Sequence, residues 1–309
     1  MSGIQDRRIL AYGVLGAGVL AVSWAAILVR AADAPALVIA SYRLGLAALP
    51  VGTLALWQQR RAPEAITRAT MWPLALSAAF LAAHFAFWIT SLQHTSVVTA
   101  VVLMAVQPLF VAIASPLLLH EAVDRRVWLA LAIASSGTAV MAAEDFGEGI
   151  GTLAGDLYAL LGGVFAAGYL IVGRWARPST SWVRYVGVVY PVTALLLLAT
   201  TLIAQEPLTG YSTKTYVMIA LMALGPQLIG HSSINWALGY LPAVIVALAI
   251  LVEPVAATAL AAIVLDEYPS APELAGALLV LLGVYVGLRP QRGETVALEA
   301  RATADVGVD

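Results

Sequence analysis

The sequence predicts an all-α integral membrane protein of ten transmembrane helices, arranged as two inverted repeats of five helices. Three observations support this fold class. Of the 309 residues, 61% are hydrophobic and only 11% are charged, against about a quarter charged in soluble domains. Ten apolar stretches come close to the roughly 20 residues that a helix needs to cross a bilayer. The two halves of the chain also match one another at a fixed offset.

This composition excludes several classes of protein. A soluble enzyme or a nucleic-acid-binding protein needs a polar surface that the chain does not supply, and a disordered chain needs far fewer apolar residues. A β-barrel is excluded because the apolar runs are continuous rather than alternating. The chain contains no cysteine, so disulfides, thiolate metal sites and thiol nucleophiles are excluded as well.

The ten predicted helices are the apolar runs between polar or turn-forming residues. They cover 9–29, 35–57, 70–91, 96–118 and 126–142 in the first half, and 153–175, 182–204, 214–238, 242–265 and 273–288 in the second. The turns at 91–96 and 239–241 are so short that each must join an antiparallel pair of helices. We therefore expect one repeat at 1–145, a second at 146–290, and a disordered polar tail at 291–309.

The first apolar run resembles a signal peptide in one respect. Arg7 and Arg8 precede it, and the sequence Ala32-Asp33-Ala34 resembles a cleavage site. The run is longer than the apolar core of a typical signal peptide, and nine further spans follow. We therefore expect an uncleaved first helix.

The basic residues predict the orientation in the membrane. Thirteen arginines fall in segments on one side of the predicted helices, whereas only Arg30 and Lys214 fall on the other. Since cytoplasmic segments are rich in arginine and lysine, both termini are expected to be cytoplasmic. Tryptophans, which favour the membrane interface, occupy predicted cytoplasmic helix ends at Trp57, Trp72, Trp128, Trp175 and Trp182.

An internal repeat appears when the chain is shifted by 146 residues. The matching positions are Tyr12 with Tyr158, Gly16 with Gly162, Val106-Gln107-Pro108 with Val252-Glu253-Pro254, Leu119-His120-Glu121 with Leu265-Asp266-Glu267, and Gly137 with Gly283. The offset changes by a few residues in the second helix, where Pro35 and Tyr42 match Pro178 and Tyr185. Because each half has an odd number of helices, the second half enters from the opposite side. Inverted repeats are typical of secondary transporters, whose site lies between the halves near the midplane.

These features resemble the EamA repeat of the drug/metabolite transporter superfamily. The resemblance covers residues 9–288 and rests on Ser41-Tyr42-Arg43-Leu44 in the second helix, Gln107-Pro108 through Glu121, Glu253-Pro254 through Glu267, and the glycines Gly137 and Gly283. Within the superfamily, the chain resembles bacterial aromatic-amino-acid exporters. One departure is that Gln107 stands in the first repeat where the second has Glu253.

The resemblance implies an amino-acid exporter that works by alternating access in the bacterial inner membrane. Helices one to four and six to nine would enclose a central cavity, with helices five and ten as peripheral scaffold. The expected partners are a small-molecule substrate, namely an amino acid with an aromatic or other apolar side chain, and the lipid bilayer. No cofactor, metal or nucleic acid is expected, and the protein is expected to be a monomer.

Two charged residues deep in the apolar runs are the first candidates for the substrate site. Glu253 lies twelve residues into its span, where a lone carboxylate costs about 2.5–3.5 kcal/mol. Arg43 lies at a compatible depth in the second helix, so an ion pair with Glu253 is one expectation. The alternatives are that Arg43 snorkels or pairs locally, that a protonated Glu253 bonds a neighbouring helix, or that Arg43 binds a substrate carboxylate directly.

Polar and aromatic side chains on other helices complete the candidate cavity. They are Ser77, His84, Trp88 and Ser91 on one face of helix three, Gln227, His231 and Asn235 at i, i+4 spacing on helix eight, and the aromatic residues Tyr42 and Tyr169. Polar stripes face the interior of a helical bundle, although hydrogen bonding between helices also explains them. The predicted cavity residues are Tyr42, Arg43, His84, Trp88, Gln107, Tyr169, His231, Asn235 and Glu253.

Other functions remain open at this level. One alternative is a substrate from another metabolite or drug class of the same superfamily. An intramembrane serine protease would need a serine–histidine pair, and the spacing allows Ser91 with His84 or Ser232 with His231. An aspartyl protease would need a second deep aspartate besides Asp156. A structural or lipid-binding scaffold would not explain Glu253, Arg43 and the polar stripes together, so transport is the predicted function.

Overall fold

The computed structural model describes residues 2–61, 67–95, 97–142, 153–264 and 268–289. Helices are the only regular elements within these ranges. The predicted disordered tail at 291–309 lies outside the described residues, as do residues 143–152.

The first half contains five helices, two of them interrupted. They are α1 (Ser2–Val22 and Ala25–Ala31), α2 (Ala36–Arg61), α3 (Arg68–His94), α4 (Val97–Met104 and Gln107–Ala114, ending in the π-helical turn Ser115–Leu119) and α5 (Arg125–Met141). Each corresponds to one predicted helix of this half.

The second half repeats this arrangement. Its helices are α6 (Leu153–Ala176), α7 (Trp182–Ile203), α8 (Thr213–Met222, π-helical Ala223–His231 and Ser232–Ala237), α9 (Ala243–Ile250 and Val252–Val264) and α10 (Ala271–Leu288). Over the described ranges, nine of the ten are long and apolar enough to span a membrane. The tenth, α5, has 17 residues, which is the lower limit for a spanning helix.

Side-chain caps fix where several helices begin. The Thr67 and Ser270 hydroxyls accept from the backbone N–H groups of Thr70 and Glu273, and the Thr70 and Glu273 side chains accept in return. Ser212 caps α8 by accepting from the Thr215 N–H at 3.2 Å. Such caps satisfy N–H groups that a first helical turn leaves without partners.

The contacts between helices follow a two-fold exchange of the halves. Three pairs join equivalent helices of the two halves, namely α2 with α7, α4 with α9, and α5 with α10. When each helix is replaced by its equivalent in the other half, the α3–α6 contact becomes the α8–α1 contact. In the same way, the α4–α6 contact becomes the α9–α1 contact. The chain is therefore built from two inverted five-helix repeats, as the sequence predicts.

The sequence predicts continuous helices at 96–118 and 242–265, but both are broken. The helix is interrupted at Ala105 and Val106 in α4 and at Leu251 in α9, positions that correspond under the 146-residue shift. A proline lies just after each break, at Pro108 and Pro254. Because proline lacks an N–H group and crowds the preceding turn, it favours an interruption at this point.

The core of the α5–α10 pair consists of closely approaching glycines. A Cβ atom added at Gly137 would lie 2.6 Å from the Gly276 carbonyl oxygen, and one at Gly283 would lie 2.6 Å from the Ala134 nitrogen. Backbones in membranes pack this closely only where small residues allow it. These glycines therefore hold the outermost pair of helices together.

We predict that Gly137→Ala lowers the stability of the protein. The new methyl group would clash with the α10 backbone, and overpacking of this kind costs about 1–3 kcal/mol. Gly13→Ala is the matched control, because a Cβ atom there meets nothing within 4 Å and alanine favours a helix by about 0.5–1 kcal/mol. The midpoint of thermal unfolding in detergent should fall for Gly137→Ala alone. Equal midpoints for the two variants would show that α5 and α10 do not pack as described.

Candidate functional site

A cavity lies between the two halves, with about 520 Å³ of empty space that includes open solvent. It is lined by α1, α2, α3, α4, α6, α8 and α9. The apolar and aromatic lining residues are Val22, Ala25, Phe85, Trp88, Met104, Ala166, Tyr169, Leu170, Ile234 and Ile250. The polar lining residues are Arg43, His84, Gln107, His231 and Glu253. Helices α5 and α10 contribute no lining residue, as the resemblance implies, but α7, which was expected to help enclose the cavity, contributes none either.

Arg43 is the cation of this cavity and is completely buried. Its Nε donates to the Gln227 Oε1 at 3.0 Å, and the guanidinium lies 4.2 Å from the centre of the Phe85 ring. Both Nη1 and Nη2 have no hydrogen-bond partner among the described residues. Leaving such donors unpaired costs free energy, and a ligand that accepts hydrogen bonds from Nη1 and Nη2 would remove that cost.

Glu253 and Gln107 occupy equivalent positions in the two repeats. Each follows a helix break, precedes a proline and lines the cavity. Both side chains are buried, with 6% of Glu253 and 5% of Gln107 exposed. The broken helices therefore bring one carboxylate and one amide to the same cavity, as discontinuous helices do in other transporters.

The direct ion pair between Arg43 and Glu253 is not formed. No salt bridge within 4.0 Å joins these two described residues, and Arg43 is anchored to Gln227 instead. The depths of the two residues are compatible, but α2 and α9 bring their side chains to one cavity rather than into contact. A space between opposite charges can accept a ligand that carries both charges.

Four further residues that the sequence predicts for the cavity line it together with Arg43 and Glu253. The His84 Nδ1 donates to the Gly162 carbonyl oxygen at 2.9 Å. In a neutral imidazole this leaves Nε2 as an acceptor. The indole Nε1 of Trp88 has no partner among the described residues. Tyr169 and His231 also line the cavity, with their rings 6.3 Å apart.

Two predicted cavity residues lie outside the lining. The Tyr42 hydroxyl donates to the Leu208 carbonyl at 2.8 Å, and its ring packs edge-on against Tyr216. The Asn235 amide donates to the Tyr169 hydroxyl at 2.6 Å, so it supports a lining residue from behind. On α8, His231 lines the cavity, whereas Gln227 and Asn235 hydrogen-bond to the lining residues Arg43 and Tyr169.

Sequence reasoning missed some of the lining residues. Phe85, which stacks under Arg43, follows His84 in the chain and carries no polar signal of its own. Met104 and Ile250 line the cavity at positions 146 residues apart. The internal repeat could have identified this pair, because both lie three residues before the equivalent Gln107 and Glu253.

The two serine–histidine pairs that the spacing would allow in a serine protease are not hydrogen-bonded. The Ser91 hydroxyl donates to the Trp88 carbonyl, and the Ser232 hydroxyl pairs with Tyr190 at 3.0 Å. Neither serine hydrogen-bonds to His84 or His231. Among the described residues, no group of three or more His, Cys, Asp or Glu side chains could hold a metal ion.

A polar network joins four helices at one end of the bundle. The Arg174 Nε donates to the Glu121 Oε1 at 2.6 Å, and the Arg174 Nη1 donates to the Leu238 carbonyl at 2.8 Å. The Ala243 N–H donates to the Glu121 Oε2 at 3.2 Å. Glu121 therefore links the end of α4 to α6 and to the first turn of α9.

Comparison with known proteins identifies the family. The model of the EamA-like transporter family matches residues 8–143 and 153–289, one copy in each half. The chain belongs to the EamA-like transporter family. A solved crystal structure superposes with a TM-score of 0.73 at 18% identity, over 91% of this chain and 98% of that one, and shows the fold alone. No curated protein sequence matches.

Membership of this family makes the chain a multi-pass membrane transporter. The two matched copies coincide with the two halves that exchange under the pseudo-two-fold axis. The cavity between these halves is therefore the candidate substrate site of an EamA-like transporter.

Proposed function

We propose that this EamA-like transporter exports amino acids with aromatic or other apolar side chains across the bacterial inner membrane by alternating access. Its termini would lie in the cytoplasm. Arg43 would bind the substrate carboxylate, Glu253 would bind the ammonium group, and the apolar wall would hold the side chain. A zwitterion would thus fill the space that separates the two charged residues.

The observation that supports this substrate class most directly is the environment of Arg43. Its guanidinium is buried and fixed through Nε, with Nη1 and Nη2 unpaired. A carboxylate accepts two parallel hydrogen bonds from such a fork, as a phosphate group also does. Phe85, Trp88, Met104 and Tyr169 supply apolar and aromatic surface beside it.

A counterflow assay in proteoliposomes tests the proposal. Vesicles loaded with unlabelled phenylalanine, tryptophan or leucine should accumulate the same labelled amino acid, whereas empty vesicles should not. Protein-free vesicles give the background. The panel includes deaminated analogues and amino-acid amides, which lack the ammonium and carboxylate groups respectively. Exchange of a drug or sugar with no exchange of any amino acid would assign the transporter to another substrate class.

The proposed orientation has a separate test. The chain has no cysteine, so single cysteines at Arg61 and Glu148 report their own exposure. With cytoplasmic termini, an impermeant thiol reagent added outside intact cells should label position 148 and spare position 61. Permeabilised cells should show labelling of both. The reverse pattern in intact cells would invert the topology.

A further inference from the structure

We infer that the residue at position 107 sets the net charge of the substrate, and that glutamine there restricts transport to net-neutral zwitterions. The inference rests on the proposed function and deepens it. It concerns which amino acids the cavity accepts rather than whether it accepts amino acids.

The first support is the structural equivalence of Gln107 and Glu253. The two residues are 146 positions apart, each within two residues after a helix break and directly before a proline, and both line the cavity. Their neighbours Met104 and Ile250 also line it as an equivalent pair. The fold thus offers two matching positions for a carboxylate, and the sequence fills only one of them.

The second support is the balance of charge in the cavity. Among the lining residues, Arg43 is the one arginine or lysine and Glu253 the one carboxylate. Counting Arg43 and Glu253 as ionised and the histidines as neutral, the lining carries no net charge. A zwitterion presents one charge of each sign and leaves none unpaired, whereas a substrate with an additional charge would bury that charge alone. Burying an unpaired charge is strongly unfavourable.

A carboxylate at position 107 would change this balance without adding a new kind of structure. Glutamate has nearly the size of glutamine, and the equivalent position of the other repeat already holds one. The lining would then carry a net negative charge, with a partner for a second cationic group. Like charges repel across a site by several kcal/mol in binding free energy, so acidic substrates would be excluded further.

The experiment compares leucine, arginine and glutamate as competitors of labelled leucine counterflow in proteoliposomes. We expect Gln107→Glu to raise the affinity for arginine relative to leucine by about tenfold or more. Gln107→Leu is the matched control, because it removes the amide without adding a charge, and should leave the relative affinity for arginine unchanged. The double variant Gln107→Glu/Glu253→Gln moves the carboxylate to the equivalent position and should return the preference to leucine.

A second variant covers the case in which Gln107→Glu does not fold. Glu253→Gln alone leaves the lining with a net positive charge, so deaminated analogues of leucine should gain affinity relative to leucine by a similar factor. Unchanged relative affinities in folded Gln107→Glu or in Glu253→Gln would overturn the inference. Failure of the wild-type protein to exchange any amino acid would instead overturn the proposed function.

Discussion

Arg43→Gln should lose nearly all amino-acid transport while the protein still inserts and folds. The substitution removes Nη1 and Nη2, the two donors without a partner, and keeps an amide that can hydrogen-bond to Gln227. Hydrogen bonds to charged groups contribute about 1.5–3 kcal/mol each. Losing two of them predicts a loss on the order of 10²- to 10⁴-fold in substrate affinity. Competition against counterflow in proteoliposomes measures this loss.

Arg43→Lys is the control for charge alone. Lysine keeps the positive charge but cannot form two parallel hydrogen bonds to a carboxylate. We therefore expect affinity between that of the wild type and that of Arg43→Gln. Amino-acid amides lack the carboxylate, so the three proteins should bind them with similar affinity. If Arg43→Gln transports leucine as the wild type does, Arg43 is a structural residue.

Coupling between Arg43 and Glu253 should depend on the substrate. The two side chains do not form an ion pair, so they would interact chiefly through a zwitterion bound to both. A double-mutant cycle with Arg43→Gln and Glu253→Gln should show non-additive losses for leucine, since residues with a shared partner couple. The same cycle measured with a deaminated analogue should be close to additive. Equal coupling for both substrates would indicate a direct contact between the two side chains.

The sequence determines the helical class and the pairing of the halves because bilayer physics acts on every residue. Apolar runs of membrane length can only be helices when their backbones must be satisfied internally. An odd number of helices per repeat then requires an inverted second half. Buried polar side chains are rare in such runs, which is why Arg43, His84, Gln107, His231 and Glu253 stand out from the sequence and all line the cavity.

The sequence leaves undetermined which inward-facing side chains reach the cavity. Regular 3.6-residue periodicity places Gln227, His231 and Asn235 on one face of α8, but it does not show that Gln227 and Asn235 hydrogen-bond to the lining residues instead. The position of a residue in an apolar run gives its depth in the membrane but not the direction in which its side chain points. Tyr42 shares the height of the site but turns towards Leu208, and Arg43 turns towards Gln227 rather than Glu253.

Breaking the link between Glu121 and Arg174 should lower stability by more than an ordinary surface ion pair would. Both side chains are mostly buried, with 22% of Arg174 and 20% of Glu121 exposed. Glu121 also accepts from the Ala243 N–H at a helix N-terminus, where a negative charge is favourable. Glu121→Gln leaves Arg174 without its counter-charge. We expect this to lower the free energy of unfolding by about 1–3 kcal/mol, less than the 3–5 kcal/mol lost when a fully buried pair is broken.

That loss corresponds to a fall of about 2–6 °C in the midpoint of thermal unfolding, measured in detergent. Lys214→Gln is the matched control for loss of one charge, because Lys214 is exposed, and it should leave the midpoint within about 1 °C. Arg174→Gln should resemble Glu121→Gln, and the double variant should cost less than the sum of the two. Additive losses would mean that the two side chains stabilise α4, α6 and α9 independently. Glu121 would then act through its hydrogen bond with Ala243, and Arg174 through its bond to the end of α8.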